Sequence, residues 1–138
     1  MKRILFLCTG NSCRSQMAEG WANALLAGKA RAFSAGTAPG DAVDTRAIKV
    51  MAEAGIDISG GRPKSVGEFK DMTFDLVVTV CSNAERTCPA YWGSGRKLHR
   101  GFDDPGTVAG KGSADEAALP VYRRVRDEIR EFVKGLEI

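Results

Sequence analysis

The sequence predicts an α/β domain, a parallel sheet with helices packed on it, and three observations carry that prediction. Ile4 to Cys8 is a short, continuously apolar run closed by a turn signal, as suits a strand buried on both faces. Leu76 to Cys81 (LVVTVC) repeats the pattern, rich in β-branched residues and again ending in cysteine. Apolar residues at helical spacing separate and follow these runs, and strands that alternate with helices fold as layers around a parallel sheet. At 138 residues and 43% hydrophobic content the chain has material for one core, so residues 1–138 are expected to form a single domain.

The elements run in order along the chain. After the first strand, Met17, Ala18, Trp21, Ala22 and Leu25 share one face of a helix running from Arg14 to Leu26. A second strand covers Ala32 to Ala35 and is closed by Gly36. Asp44 caps a helix with a buried stripe of Ala47, Ile48, Met51 and Ala52, and Gly55 stops it. Beyond Leu76 to Cys81, Ser82 and Glu85 form a capping box that opens a short helix. His99 borders a strand, Gly101 to Ser113 reads as a long surface loop, and Trp21 and Trp92 read as packing. Pro120 opens the last helix, with Tyr122, Val125, Ile129, Phe132 and Leu136 on one face.

Charge and cysteine usage narrow the function. Twenty Lys and Arg stand against 17 Asp and Glu, a net charge of +3 with no basic run, so neither nucleic acid nor a membrane surface is expected as a partner. Ile4 to Cys8 is shorter than a signal-peptide apolar region and nothing approaches a membrane span, which points to the cytoplasm. In that reducing compartment the 4 cysteines read as reactive thiols or metal ligands rather than a disulfide framework. The spacings Cys8-x4-Cys13 and Cys81-x6-Cys88 are looser than common zinc sites, and the chain has 1 histidine, so no metal is expected.

The stretch LFLCTGNSCRSQ, Leu5 to Gln16, carries the chemistry. In open α/β sheets ligands bind outside the carboxyl ends of strands, where this loop lies. The backbone N–H groups of Thr9, Gly10, Asn11, Ser12 and Cys13 can converge on one anion. Gly10 and Asn11 tolerate the left-handed backbone a tight cradle needs, and the helix beginning near Arg14 adds its positive end. The Arg14 guanidinium matches two oxygens of a tetrahedral oxyanion. A thiol at a helix N-terminus beside an arginine ionises readily, and Ser15 can donate a further hydrogen bond to it, which makes Cys8 the expected nucleophile.

The motifs CTGNSCRSQMAEGW (Cys8 to Trp21), SAG (Ser34 to Gly36), DLVVTVCSNAERTCP (Asp75 to Pro89), GFDDP (Gly101 to Pro105) and RVRDEI (Arg124 to Ile129) together resemble the thioredoxin-coupled arsenate reductases, whose fold is that of the low-molecular-weight protein tyrosine phosphatases. The resemblance spans nearly the whole chain. It implies a four-stranded parallel sheet flanked by helices, a monomer, arsenate as substrate, and no bound cofactor, with reduced thioredoxin as electron donor.

A thiolate under an oxyanion suits phosphate ester hydrolysis as well as arsenate reduction, so the next thiols decide. If the first and third strands are neighbours, their ends lie about 5 Å apart, near disulfide reach. Cys81 would then attack Cys8, and Cys88 would resolve that disulfide by attacking Cys81. Were residues 82–87 helical, Cys81 and Cys88 would stand ~10 Å apart along the axis, so this segment is expected to unwind on oxidation. Cys13 has no redox part and reads as a packing or loop residue. The nearest rival is a phosphatase for tyrosine or arginine phosphate. Those relatives commonly carry proline where this chain has Gln16, and they need no Cys81 and Cys88 pair; a weak phosphatase side activity is expected all the same.

By the same resemblance, the aspartate before proline, Asp104, protonates the departing oxygen, since hydroxide leaves poorly without a proton. Alone, an Asp-Asp-Pro-Gly stretch would be turn chemistry, and Asp103 has no assigned task. Some family members hold a monovalent cation beside the loop. Asn11, Glu19 and Ser34 match its positions, but Lys64 stands where an acidic residue belongs, and its ammonium could replace the ion.

Overall fold

The computed structural model describes residues 1–81, 95–110 and 112–138. Its sheet is built of β1 (Lys2–Cys8), β2 (Ala30–Gly36), β3 (Leu76–Thr79) and β4 (Arg96–His99), all parallel and ordered β2-β1-β3-β4. The helices are α1 (Arg14–Leu25), α2 (Thr45–Glu53), α3 (Pro105–Ala109) and α4 (Asp115–Lys134), with a 3-10 turn at Val66–Phe69.

Ile4 to Cys8 are buried in unbroken succession. Successive side chains of a strand point to opposite faces, so both faces of β1 are covered. On one face Ser34 of β2 reaches α1, its hydroxyl donating to Glu19 Oε1 at 2.8 Å. On the other face Phe33 meets Phe69 and Phe74 edge to face, with ring centroids 5.7 Å from it in each case. The long helix α4 buries Ala118, Leu119, Tyr122, Val125, Ile129 and Val133, and α1, α2 and α3 all pack against it.

Several boundaries differ from the sequence expectation for identifiable reasons. Strand β2 is longer at both ends, and in α2 the buried residues are Ala47, Val50 and Met51, whereas Ile48 is half-buried and Ala52 exposed. Strand β3 stops at Thr79, although the Val80 N–H still donates to Leu7 O at 2.8 Å, so Cys81 lies just past the ladder. The stretch expected as one loop from Gly101 to Ser113 contains α3, capped by Asp104 and opened by Pro105. Helix α4 starts at Asp115, not Pro120. Asp115 and Glu116 suit its first turn, and the bond that Pro120 cannot make leaves only the carbonyl of exposed Glu116 without a helical donor. His99 ends β4, and Trp21 is buried in the core. The capping box at Ser82 and Glu85, Cys88 and Trp92 lie outside the described residues.

The strand order fixes where a ligand can sit. From β1 the chain moves outward to β2 and then returns to the other side of β1 to lay down β3. The point of reversal lies between β1 and β3 at their carboxyl ends, and there an open α/β sheet leaves its crevice. Cys8 closes β1 at that place and Cys81 follows β3 there.

Candidate active site

The loop from Cys8 to Arg14 is held by its carbonyls. Cys8 O accepts from Thr37 N–H at 3.2 Å, Thr9 O from Ala38 N–H at 2.9 Å, Gly10 O from Gly40 N–H at 2.9 Å and Ser12 O from Asp44 N–H at 2.7 Å. Asn11 O accepts from Gln16 Nε2 at 3.1 Å and Cys13 O from Met17 N–H at 2.9 Å. The peptide bonds are trans, so each N–H points opposite to the carbonyl of its own peptide plane. Engaging these carbonyls therefore turns the N–H groups of Thr9 to Arg14 away from the bracing chain. The one that reaches the sulfur is the Asn11 N–H, 3.1 Å from Cys8 Sγ. Amide donors left unengaged by the bracing chain at a helix start are the chemistry an oxyanion cradle needs, and the Asn11 N–H is the one seen on the sulfur.

Asn11 is the keystone of this loop. Its φ of 51° makes it the only non-glycine residue with positive φ among the described residues, and it is fully buried. Its Oδ1 accepts from the Lys64 N–H at 2.9 Å and from Gln16 Nε2 at 3.2 Å, which leaves Nδ2 to donate to Ser15 Oγ at 2.8 Å. Ser15, accepting there, has its hydroxyl hydrogen available for Cys8 Sγ, 2.8 Å away. The nucleophile candidate, itself buried, thus has two donors on its sulfur. Gln16 also donates to Arg62 O at 3.0 Å, and sequence reasoning noted it only as a departure from proline.

Arg14 opens α1, and its Nη1 donates to Phe102 O at 3.0 Å. Its Nη2 lies 3.9 Å from Asp104 Oδ2, so Asp104 is brought to the mouth of the loop. Asp104 also caps α3, with Gly106 N–H at 3.2 Å from Oδ1 and the Thr107 hydroxyl at 3.1 Å from Oδ2. Asp103 turns away and pairs with Arg124 at 3.0 Å, a surface role. No sequence signal marked Phe102, because it acts through its backbone.

Cys8, Cys13 and Cys81 are buried and carry no disulfide. Cys81 Sγ lies 3.3 Å from Thr9 Oγ1, which ties the second thiol to the loop. Cys13 is the helix N-cap residue without a side-chain cap bond, and burial, then Asp44, pushes its thiol well above the ordinary range. It stays a neutral packing group, as expected. At the position matching a cation site, Asn11 Oδ1 already accepts two hydrogen bonds and the Lys64 ammonium donates to Arg62 O at 2.9 Å. Burial lowers the proton affinity of Lys64 while Glu19 opposes that shift. Among the described residues no group of three His, Cys, Asp or Glu could hold a metal, and no helix is long and apolar enough to cross a membrane.

Residues 3–137 match the family described as low molecular weight phosphotyrosine protein phosphatase. The chain is 45% identical to an arsenate reductase of Halalkalibacterium halodurans over 133 residues, 96% of this chain and 93% of the relative. It is 45% identical to an arsenate reductase of Staphylococcus aureus (strain Newman) over 136 residues, 99% of this chain and 96% of the relative. Among solved structures, an arsenate reductase in the phosphate binding state superposes with a TM-score of 0.80 at 35% identity, covering 98% of this chain and 95% of that one. With a sulfur hydrogen-bonded by a loop amide at the carboxyl end of β1, the nearly full-length matches place this chain in the low molecular weight phosphotyrosine protein phosphatase family, among its arsenate reductases.

Proposed function

We propose that this chain reduces arsenate to arsenite, with reduced thioredoxin as the electron donor and the cytoplasm as its place of work. Arsenate binds the amides of Thr9 to Arg14 and the Arg14 guanidinium. The Cys8 thiolate attacks arsenic, a sulfur–arsenic bond forms, and Asp104 gives the departing oxygen a proton so that it leaves as water. Ser15 and the Asn11 amide hold the sulfur in line.

Cys81 then attacks Cys8 sulfur. A Cys8–Cys81 disulfide forms, the sulfur–arsenic bond breaks, and its electron pair stays on arsenic, which departs as arsenite. Cys88 attacks Cys81, returning Cys8 as a thiolate, and the thioredoxin dithiol reduces the Cys81–Cys88 disulfide. No cofactor or metal enters these steps.

The observation that carries the reading is the second buried thiol, Cys81, which lies just past the strand that pairs with β1 and is hydrogen-bonded to loop residue Thr9. Phosphate ester hydrolysis has no use for it. Turnover is measured as arsenate-dependent NADPH oxidation with thioredoxin and its reductase. Cys81→Ser and Cys88→Ser are each expected to abolish turnover while keeping hydrolysis of an aryl phosphate, since the first chemical step is shared. Full turnover in either variant overturns the relay.

A further inference from the structure

Tyr122 lies in the middle of α4, 3% exposed, and its hydroxyl donates to Asp44 Oδ2 at 2.6 Å. Asp44 is the residue whose N–H holds Ser12 O at 2.7 Å, and its Oδ1 caps α2 by accepting from Arg46 N–H at 2.9 Å. The same hydroxyl faces α3. A methyl group at Gly106 would stand 3.2 Å from the Tyr122 oxygen and 3.6 Å from Asp104 Oδ1, the atom that accepts from the Gly106 N–H. One phenol therefore bonds the brace of the oxyanion loop on one side and stands beside the helix that Asp104 caps on the other.

We infer that Tyr122 is a positioning residue that sets the oxyanion loop and Asp104 in register with each other through its hydroxyl group; this rests on the proposed roles of the loop and of Asp104. The ring anchors in the α4 core, so its oxygen is a fixed point. Asp44 needs that donor to hold its carboxylate between α2 and α4. Without it the start of α2 loosens, the Asp44 N–H shifts, and with it the Ser12 carbonyl and the amide of Cys13. Gly106 is small enough to let the fixed point abut α3. Burial and the Asp44 carboxylate both keep the phenol protonated, so it remains a donor across the working pH range.

The test is kcat and KM for arsenate with thioredoxin and its reductase in Tyr122→Phe, Asp104→Asn and the double variant, with Ile129→Val as a control. Ile129 is fully buried on the same helix, and the control is destabilised without touching the hydroxyl. Tyr122→Phe is expected to lower kcat by about three- to tenfold, the range of one lost hydrogen bond, while Ile129→Val keeps the wild-type rate. In the Asp104→Asn background the further loss is expected to fall below about twofold, because two changes acting on one step do not multiply. Tyr122→Phe turning over like Ile129→Val, or an equal loss in both backgrounds, overturns the role of Tyr122 while leaving a slow Asp104→Asn to support the acid. Wild-type turnover in Asp104→Asn overturns the acid and the register argument together.

Discussion

The places of Cys8 at the end of β1 and Arg14 at the start of α1 could be read directly because their signal is local: an apolar strand, a turn, and an arginine and serine at fixed spacing. Gln16 could not. Its acceptors include Arg62 O, 46 positions away in sequence, and a lone glutamine at a helix start says nothing of what it will meet. Its side chain is 2% exposed and aligns the Asn11 amide that in turn orients Ser15. Gln16→Leu strips the donor from Asn11 O inside the fold and leaves Asn11 Oδ1 with the Lys64 N–H alone, and leaving a buried acceptor unpaired costs about 1–3 kcal/mol. Urea unfolding should show that loss. Alkylation of Cys8 near neutral pH, followed by mass spectrometry of its peptide, should slow by about threefold or more as the Ser15 donor loses its orientation.

Among the elements, those with an apolar rhythm were legible and those without were not. β4 reads Arg-Lys-Leu-His and is exposed along its length, an edge strand held by pairing to β3 rather than by its own burial. α3 has 5 residues, two of them proline and glycine, and exists because Asp104 caps it. Pro120 misleads because proline favours the first helical turn, whereas here the acidic pair before it starts the helix. The meeting of β2 with the anion loop was also invisible, since it depends on Gly36 lacking a side chain. A Cβ at Gly36 would stand 2.5 Å from Thr9 O and 3.0 Å from Asn11 Cβ. Gly36→Ala must push the loop off its brace, and a shift of that order is expected to cut kcat/KM for arsenate by about ten- to a hundredfold with the fold retained. Circular dichroism on the same sample separates a displaced loop from an unfolded chain.

For the whole molecule, the strand order follows from few rules, and the order in turn puts both thiols at one rim of the sheet. What holds α2 to α4 is partly electrostatic. Glu53 of α2 meets Arg123 at 2.8 Å and Arg126 at 3.1 Å, both on α4. Hydrogen bonding from Arg123, ahead of the Coulombic pull of Arg123 and Arg126, lowers the Glu53 carboxyl from 4.5 to about 2. A carboxyl lowered on folding stabilises the native state fully above its unfolded value, and the contribution drains away as pH falls through the folded one. The melting temperature of Glu53→Gln is thus expected to lie below wild type at neutral pH, and the gap to close between about pH 4.5 and 2. Scanning calorimetry across that window checks it, and a gap that persists at pH 2 would assign the effect to packing instead.

The carbonyls of the anion loop from Cys8 to Cys13 are all engaged by the protein's own donors. On the proposed mechanism, admission then turns on shape and charge, and inorganic phosphate is expected to compete with arsenate for occupancy. Discrimination is thereby deferred from entry to electron transfer: phosphate can only be released again, whereas arsenic accepts two electrons and leaves changed. A chain working this way filters by reactivity, and its turnover is expected to follow the ratio of the two anions rather than the arsenate level alone.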